Sequence, residues 1–153
     1  MQITEMTTVE CSALLAHTSV GRLGCSFENQ PYVVPINFAY DSGYLYVFST
    51  FGQKVKWMRA NPRVCVQSEQ IQSESEWASV VVNGEYEELP EPQYTDERKH
   101  AGSLLAKRSH WWLNALGERR IRVGDISIEP LFFRIRIQSM SGLRATDEKE
   151  SQG

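Results

Sequence analysis

The chain has 153 residues and a mass of 17.5 kDa, with 41% hydrophobic and 23% charged residues. That is the length of one domain and a composition far from that of chains that stay disordered. Sixteen Lys and Arg against nineteen Asp and Glu leave a net charge of −3, which argues against the basic footprint of a general nucleic-acid binder.

Cys11, Cys25 and Cys65 are odd in number and lie at no C-x-x-C spacing. Neither a disulfide framework nor a metal site is expected, and each cysteine reads as a small buried hydrophobe in a reducing compartment. The N-terminus carries Glu5 and Glu10 in place of a basic segment followed by an apolar core. No apolar run approaches the ~18 residues of a membrane span. A cytoplasmic protein with no membrane or nucleic-acid partner is the expectation.

In chain order, Thr7 to Ala16 reads as a short helix, because Thr7 with Glu10 three residues on makes a capping box and Leu14 and Leu15 mark an apolar side. After Gly21 the period changes to two: Leu23, Cys25 and Phe27 alternate with Gly24 and Ser26, and Glu28-Asn29-Gln30 supplies a turn. Pro31 to Tyr40 is a second strand, Asp41-Ser42-Gly43 a three-residue connection, and Tyr44 to Phe48 a third strand. Gln53 to Arg59 reads as a two-turn helix stopped by Asn61-Pro62.

Alternation resumes at Val64 to Ser68, and after a polar turn at residues 73–76 a long β run extends from Trp77 to Tyr86, with Gly84 as a bulge. Pro90 and Pro92 end it; Thr95 to Lys107 is a helix, and Phe133, Ile135 and Ile137 mark the last strand. The organisation is one domain over residues 1–145 followed by a polar tail at 146–153. About six strands with few helices predict a mainly β protein, an antiparallel barrel with peripheral helices. No G-x-G-x-x-G and no P-loop accompanies any strand.

One segment carries chemistry. From Ser42 to Ser68 there is no Asp or Glu, yet Lys54, Lys56, Arg59 and Arg63 fall there. Ser49 and Thr50 leave a strand with two hydroxyls, Gly52 permits a tight turn, and Gln53-Lys54 opens a helix. Strand-end hydroxyls, a helix N-terminus and a lysine are the parts of a phosphate site, although a solvated basic helix with a hydroxyl cap has the same sequence. Pro35 lies inside the preceding strand, Val33-Val34-Pro35-Ile36-Asn37, so that strand needs an edge, a bulge or a ligand beside it. Asn37 needs a partner for its amide if buried, which a heteroaromatic ring edge or a turn supplies equally well. Trp77, Trp111 and Trp112 offer flat surfaces that serve a planar ligand, a core or an interface.

The runs P-Y-V-V-P-I-N-F, Y-L-Y-V-F-S-T-F-G-Q-K-V-K-W-M, N-P-R-V-C-V and W-A-S-V-V-V-N-G-E-Y-E-E-L, in that order over Val20 to Leu89, resemble the pyridoxamine 5′-phosphate oxidase-like family of FMN-binding split barrels. The ending S-G-L-R at Ser141 to Arg144 resembles its nitroimidazole-reductase-like short branch. The resemblance implies a homodimer with FMN in clefts at the subunit interface. It places the FMN phosphate at Ser49, Thr50, Gln53 and Lys54, the flavin ring along Val34, Pro35, Ile36 and Asn37, and Ser79 beside the cofactor. Relatives often carry Arg where this chain has Gln53, a contact that Arg59 or Arg63 would have to replace.

Oxidation of pyridoxamine phosphate is not expected. The function expected is a flavoprotein oxidoreductase passing electrons or hydride through FMN to a small organic acceptor. The alternative is a non-catalytic binding or sensor protein of the same fold holding flavin, deazaflavin or haem. No catalytic side chain is assigned; His110 is the one histidine worth testing, and His17, His100 and His110 have no metal spacing.

Overall fold

A computed structural model describes residues 1–108, 122–123, 126–127 and 130–147. Its elements are β1 (Gln2–Glu5), α1 (Thr8–His17), β2 (Val20–Phe27), β3 (Gln30–Asp41), β4 (Tyr44–Thr50), α2 (Gln53–Ala60), β5 (Arg63–Ser73), β6 (Glu76–Glu88), α3 (Thr95–Arg108), β7 (Arg122–Val123), β8 (Ile126–Ser127) and β9 (Pro130–Thr146). Six strands close into a ring in the order β9, β4, β3, β2, β5, β6 and back to β9, every pairing antiparallel, with β1 added to β9. The antiparallel barrel predicted from the alternation is present, and the three helices of the described residues lie around it.

The period-two pattern works because its inward half is apolar. Leu23, Phe38, Leu45, Val47, Val66, Val80, Val82, Phe133 and Ile135 are buried in one core cluster. Two hairpins are closed by two-residue turns with positive φ at both positions: Glu28 (48°) and Asn29 (65°), then Ser42 (47°) and Gly43 (86°). Such turns match the twist of the strands they join. The three-residue connection expected at Asp41 is therefore one residue shorter, since Asp41 itself pairs with Tyr44.

Gly84 sits at the predicted bulge: the β6–β9 register shifts between Asn83 and Gly84. A Cβ there would lie 2.4 Å from the Arg136 carbonyl oxygen. Thr7 caps α1, and both arms of the capping box form: Glu10 N–H donates to Thr7 Oγ1 (3.2 Å) and Thr7 N–H to Glu10 Oε1 (3.1 Å). The helix turns Cys11, Leu14 and Leu15 into the core, and Arg144 holds its Glu10 at 2.8 Å.

The last strand and β1 differ most from expectation, and β5 runs on to Ser73, beyond the Ser68 expected. The last strand is 17 residues, Pro130–Thr146, because it pairs with β4 at its start, β6 along its middle and β1 at its end. Its second half, Ser139 to Thr146, alternates weakly and so is not legible as strand. β1 is also absent from the sequence expectation, since all four of its residues are exposed and carry no inward face.

The barrel is split on one side. β4 pairs with β3 only as far as Val47 opposite Phe38; from Phe48 to Thr50 it follows β9 instead. Residues 30–37 of β3 pair with β2 alone. Pro35 falls inside this one-sided stretch, which meets the edge requirement of a residue with no N–H. On the outside, α3 packs Ala101 and Leu105 against Ala39, Tyr46, Phe48, Leu89 and Phe132.

Candidate functional site

The seam between β3 and the departing end of β4 is where the chemistry-bearing residues gather. Ser49 is buried near the strand end and donates its hydroxyl to the Thr50 carbonyl at 3.1 Å, while Thr50 is half-exposed. The chain then turns through Phe51 and Gly52 into α2. Gly52 is the N-cap in extended backbone and offers no side chain to the helix. The first-turn N–H groups of α2 are therefore uncapped by any side chain, the positive end of a helix left open. Val55 and Met58 anchor the helix in the core, and Trp57 packs against Phe27 (centroids 6.0 Å) and Tyr32 (5.6 Å) of the β2–β3 hairpin. Asn61 fastens the other end, donating to the Ser26 carbonyl at 3.1 Å.

Lys54, in the first turn, is half-buried, and among the described residues it has no ion-pair partner. Burial pulls its ammonium below the ordinary lysine value, an effect that the nearby Cys25 only partly opposes. The other cations of the acid-free segment divide. Arg59 is held by Glu88, 29 residues further along the chain, and lies over the Phe51 ring at 5.1 Å from its centroid. Burial works against ionisation of Glu88, but hydrogen bonds from Arg59 and Tyr86 outweigh it and hold the carboxyl below its usual value. Lys56 and Arg63 are exposed.

On β3 the four residues assigned to a ring fall on both faces of the strand. Ile36 is in the core and Val34 packs against it, while Pro35 is exposed and Asn37 half-buried on the opposite face. A ligand can meet all four only along the strand's edge, which is the edge that β4 leaves unpaired. Among the described residues the Asn37 amide has no side-chain hydrogen bond, and it is half-buried. Gln53 is exposed beside Lys54.

Ser79 stands apart. It lies on the outer face of β6, three strands round the barrel from β3, and accepts a hydrogen bond from Gln67 Nε2 at 3.0 Å. Beside it runs a depression of about 610 Å³ whose lining includes Trp77, Val81 and Leu143. Ser49, Thr50, Gln53 and Lys54 thus fall together at the β4–α2 junction, the 34–37 edge of β3 lies just before the point where β4 parts from it, and Ser79 is on a different face.

The family model described as Pyridoxamine 5′-phosphate oxidase matches residues 7–144. The chain belongs to this family. An uncharacterized protein of Rhizobium meliloti is 45% identical over 113 residues, 73% of this chain and 75% of that protein. Among solved structures, a FAD-binding protein from Mesorhizobium loti is similar at a TM-score of 0.79 and 40% identity, over 96% of this chain and 99% of that one. A candidate 5-nitroimidazole antibiotic resistance protein from Bacteroides thetaiotaomicron shares the fold, with a TM-score of 0.65 at 18% identity over 96% and 93% of the two chains. The resemblance expected from the motifs, to pyridoxamine 5′-phosphate oxidase-like split barrels, holds.

Several residues of this family member's seam are not legible from local sequence. Trp57 orients α2, yet reads as one more apolar helix residue. Phe51 is 52% exposed on the turn, where its neighbours Thr50 and Gly52 draw the attention; an aromatic between a strand end and a helix cap is the signal that finds it. Cys65 is exposed, a correction to the expectation that all three cysteines are buried; Cys11 and Cys25 are buried, and burial pushes both thiols up. The described residues hold no cluster of metal-ligating side chains, and none of their helices is long and apolar enough to cross a membrane. His17 ends α1, and His100 binds Asp41 at 2.7 Å on the barrel's exterior. His110, Trp111 and Trp112 lie outside the described residues.

Proposed function

We propose that this chain is a flavoprotein oxidoreductase that holds the phosphate of FMN at the β4–α2 junction and the flavin ring along the open edge of β3, within a homodimer. The observation that carries this reading is Lys54: a half-buried ammonium with no ion-pair partner among the described residues, beside two strand-end hydroxyls and an uncapped helix start. A buried unmatched cation is costly in an isolated fold and favourable once a dianion sits against it. The site fits the group in a second respect, since the backbone edge at residues 34–37 and the Asn37 amide, both without a partner among the described residues, offer donors and acceptors to a ring with polar edges. The relative from Mesorhizobium loti, named as FAD-binding, supports a flavin.

FMN supplies hydride and single-electron transfer when bound. This chain's residues would position it: Lys54, the Ser49 and Thr50 hydroxyls and the α2 N–H groups fix the phosphate, Gln53 adds a neutral contact, and β3 orients the ring. Arg59 does not replace the charge missing at Gln53, because Glu88 already holds it.

Ser79 would reach the cofactor from a second copy of the chain. Its surroundings favour such a contact: Ile71 is 68% exposed, and Val81 and Leu143 are exposed on the same outer face as Trp77. The acceptor is a small organic molecule admitted over the exposed side of the ring, and the setting is cytoplasmic.

The test is direct. Purified protein should carry or take up FMN at one per chain, with a two-band flavin absorption spectrum, and light scattering should give twice the chain mass. NADH or NADPH should reduce the bound flavin and a nitroaromatic reoxidise it. Protein that ignores added FMN would remove the reading, and binding without turnover would leave a flavin carrier.

A further inference from the structure

The two halves of the seam belong to different elements: Lys54 stands in the first turn of α2, and residues 34–37 lie on β3. That stretch of β3 pairs with β2 alone, so no strand on its β4 side holds it in place. One side chain joins the halves. Trp57, three residues after Lys54 and so beside it on the helix surface, packs against Tyr32, two residues before Val34, with centroids 5.6 Å apart and planes at 60°. It also meets Phe27 across the hairpin turn at 6.0 Å. Asn61, at the C-cap of α2, donates to the Ser26 carbonyl and hydroxyl oxygens at 3.1 and 3.2 Å, a second tie to the same hairpin. Cys25, opposite Tyr32 in the β2–β3 register, lies beside Lys54. The aromatic trio sits at the rim of the core, since Phe27 is 37% exposed and Tyr32 and Trp57 are half-buried.

We propose that Trp57 is a positioning residue that sets the separation of the phosphate and ring halves of the flavin site. This rests on the flavin reading above and deepens it, by naming the side chain through which two half-sites act as one. A ligand held at both ends gains from its second contact only when the half-sites stand at the span of the molecule. A large flat ring wedged between helix and hairpin fixes that span, because tilted aromatic pairs resist sliding better than aliphatic contacts of the same area. Trp57 itself need not touch the ligand.

The experiment measures FMN dissociation constants of the apoprotein by flavin fluorescence, and the concentration of inorganic phosphate that displaces the FMN. The proteins are wild type, Trp57→Phe, Trp57→Leu, Tyr32→Leu and the double Leu variant, with thermal midpoints as a folding control. The expected result is a loss of about tenfold in FMN affinity in each single Leu variant, no further loss in the double variant, and recovery to within about threefold of wild type in Trp57→Phe. The inhibition constant of phosphate should stay within about twofold throughout, which separates positioning from a merely structural role, since a loosened α2 would weaken phosphate and FMN alike. Unchanged FMN affinity in the Leu variants, losses that add in the double variant, a parallel loss of phosphate affinity, or a Trp57→Phe variant no better than Trp57→Leu overturns the positioning role and leaves the flavin reading standing. If Trp57→Leu does not fold, Tyr32→Leu decides by the same two constants. A wild type that binds no FMN, or from which phosphate displaces none, removes the flavin reading at the β4–α2 junction itself.

Discussion

On the flank of β4 that faces α3, positive charges have partners. Arg134 lies 2.8 Å from Glu87 and 4.1 Å from the Tyr44 centroid, Arg136 reaches Glu85 at 2.8 Å, Arg98 approaches Glu91, and His100 binds Asp41. Just beyond the end of the same strand, half-buried Lys54 has no ion-pair partner among the described residues. The two flanks differ in whether the fold itself answers the charge. Matched charge on the α3 side is a property of the folded chain, complete without a ligand. Unmatched charge at the seam is stability forgone, which a fold retains where a counter-anion arrives from outside.

The comparison separates under mutation. Lys54→Met should lower affinity for FMN by about 10- to 100-fold, the loss of one charge-assisted contact of about 1–3 kcal/mol, while the apoprotein's thermal midpoint stays level or rises by about 2 °C. Arg134→Met should do the reverse. Arg134 is only 14% exposed, so its removal takes from Glu87 its nearer guanidinium, leaving Arg136 at 3.4 Å, and costs about 1 kcal/mol, or about 3 °C in a domain of this length, with FMN affinity intact. Titration calorimetry and thermal denaturation of the two variants read both effects. Equal losses of stability in both would erase the distinction between the flanks.

How much of this was legible beforehand follows the range of each interaction. Strands whose inward residues alternate, and the capping box at Thr7 and Glu10, are local patterns and appear where expected. The seam needed two facts together, Pro35 in a strand and a cluster of hydroxyls and lysines after the next one, and both are short-range. What escaped is long-range. Nothing near Arg59 in sequence announces Glu88, so an acid-free stretch overstated the free charge at the seam. The closure of β9 onto β6 and β1, and the position of Ser79 on the far side of the barrel, depend on topology that alternation does not encode.

The seam's lysine also makes the comparison depend on pH. Burial lowers the Lys54 pKa from its ordinary value of 10.5, so in the window between the two values the unfolded chain binds a proton that the folded apoprotein does not. Stability of the apoprotein therefore rises with pH through that window, and the cost of the buried charge is fully present below it. Binding runs the other way: the phosphate needs the protonated amine, so FMN affinity should be greatest near neutral pH and fall as pH climbs through the lowered value, by less than the loss in Lys54→Met because the neutral amine still donates a hydrogen bond. A titration series in wild type against Lys54→Met checks it, since the alkaline decline should vanish in the variant. An unchanged decline would assign it to another group.

Arg59 gives the smallest and most discriminating effect. By sequence it belongs to the same positive cluster as Lys54, five residues along one helix; by structure it belongs with the matched charges, since Glu88 holds it as Glu87 holds Arg134. Arg59→Leu should therefore change FMN affinity by less than about twofold, because the charge removed is already neutralised and an exposed pair of this kind contributes only ~0.2–1 kcal/mol to stability. The double variant Arg59→Leu with Glu88→Leu should match the single variant in FMN affinity. A tenfold loss in Arg59→Leu would instead show that the arginine leaves Glu88 for the ligand, and the division between the two flanks of β4 would then describe the unliganded protein alone.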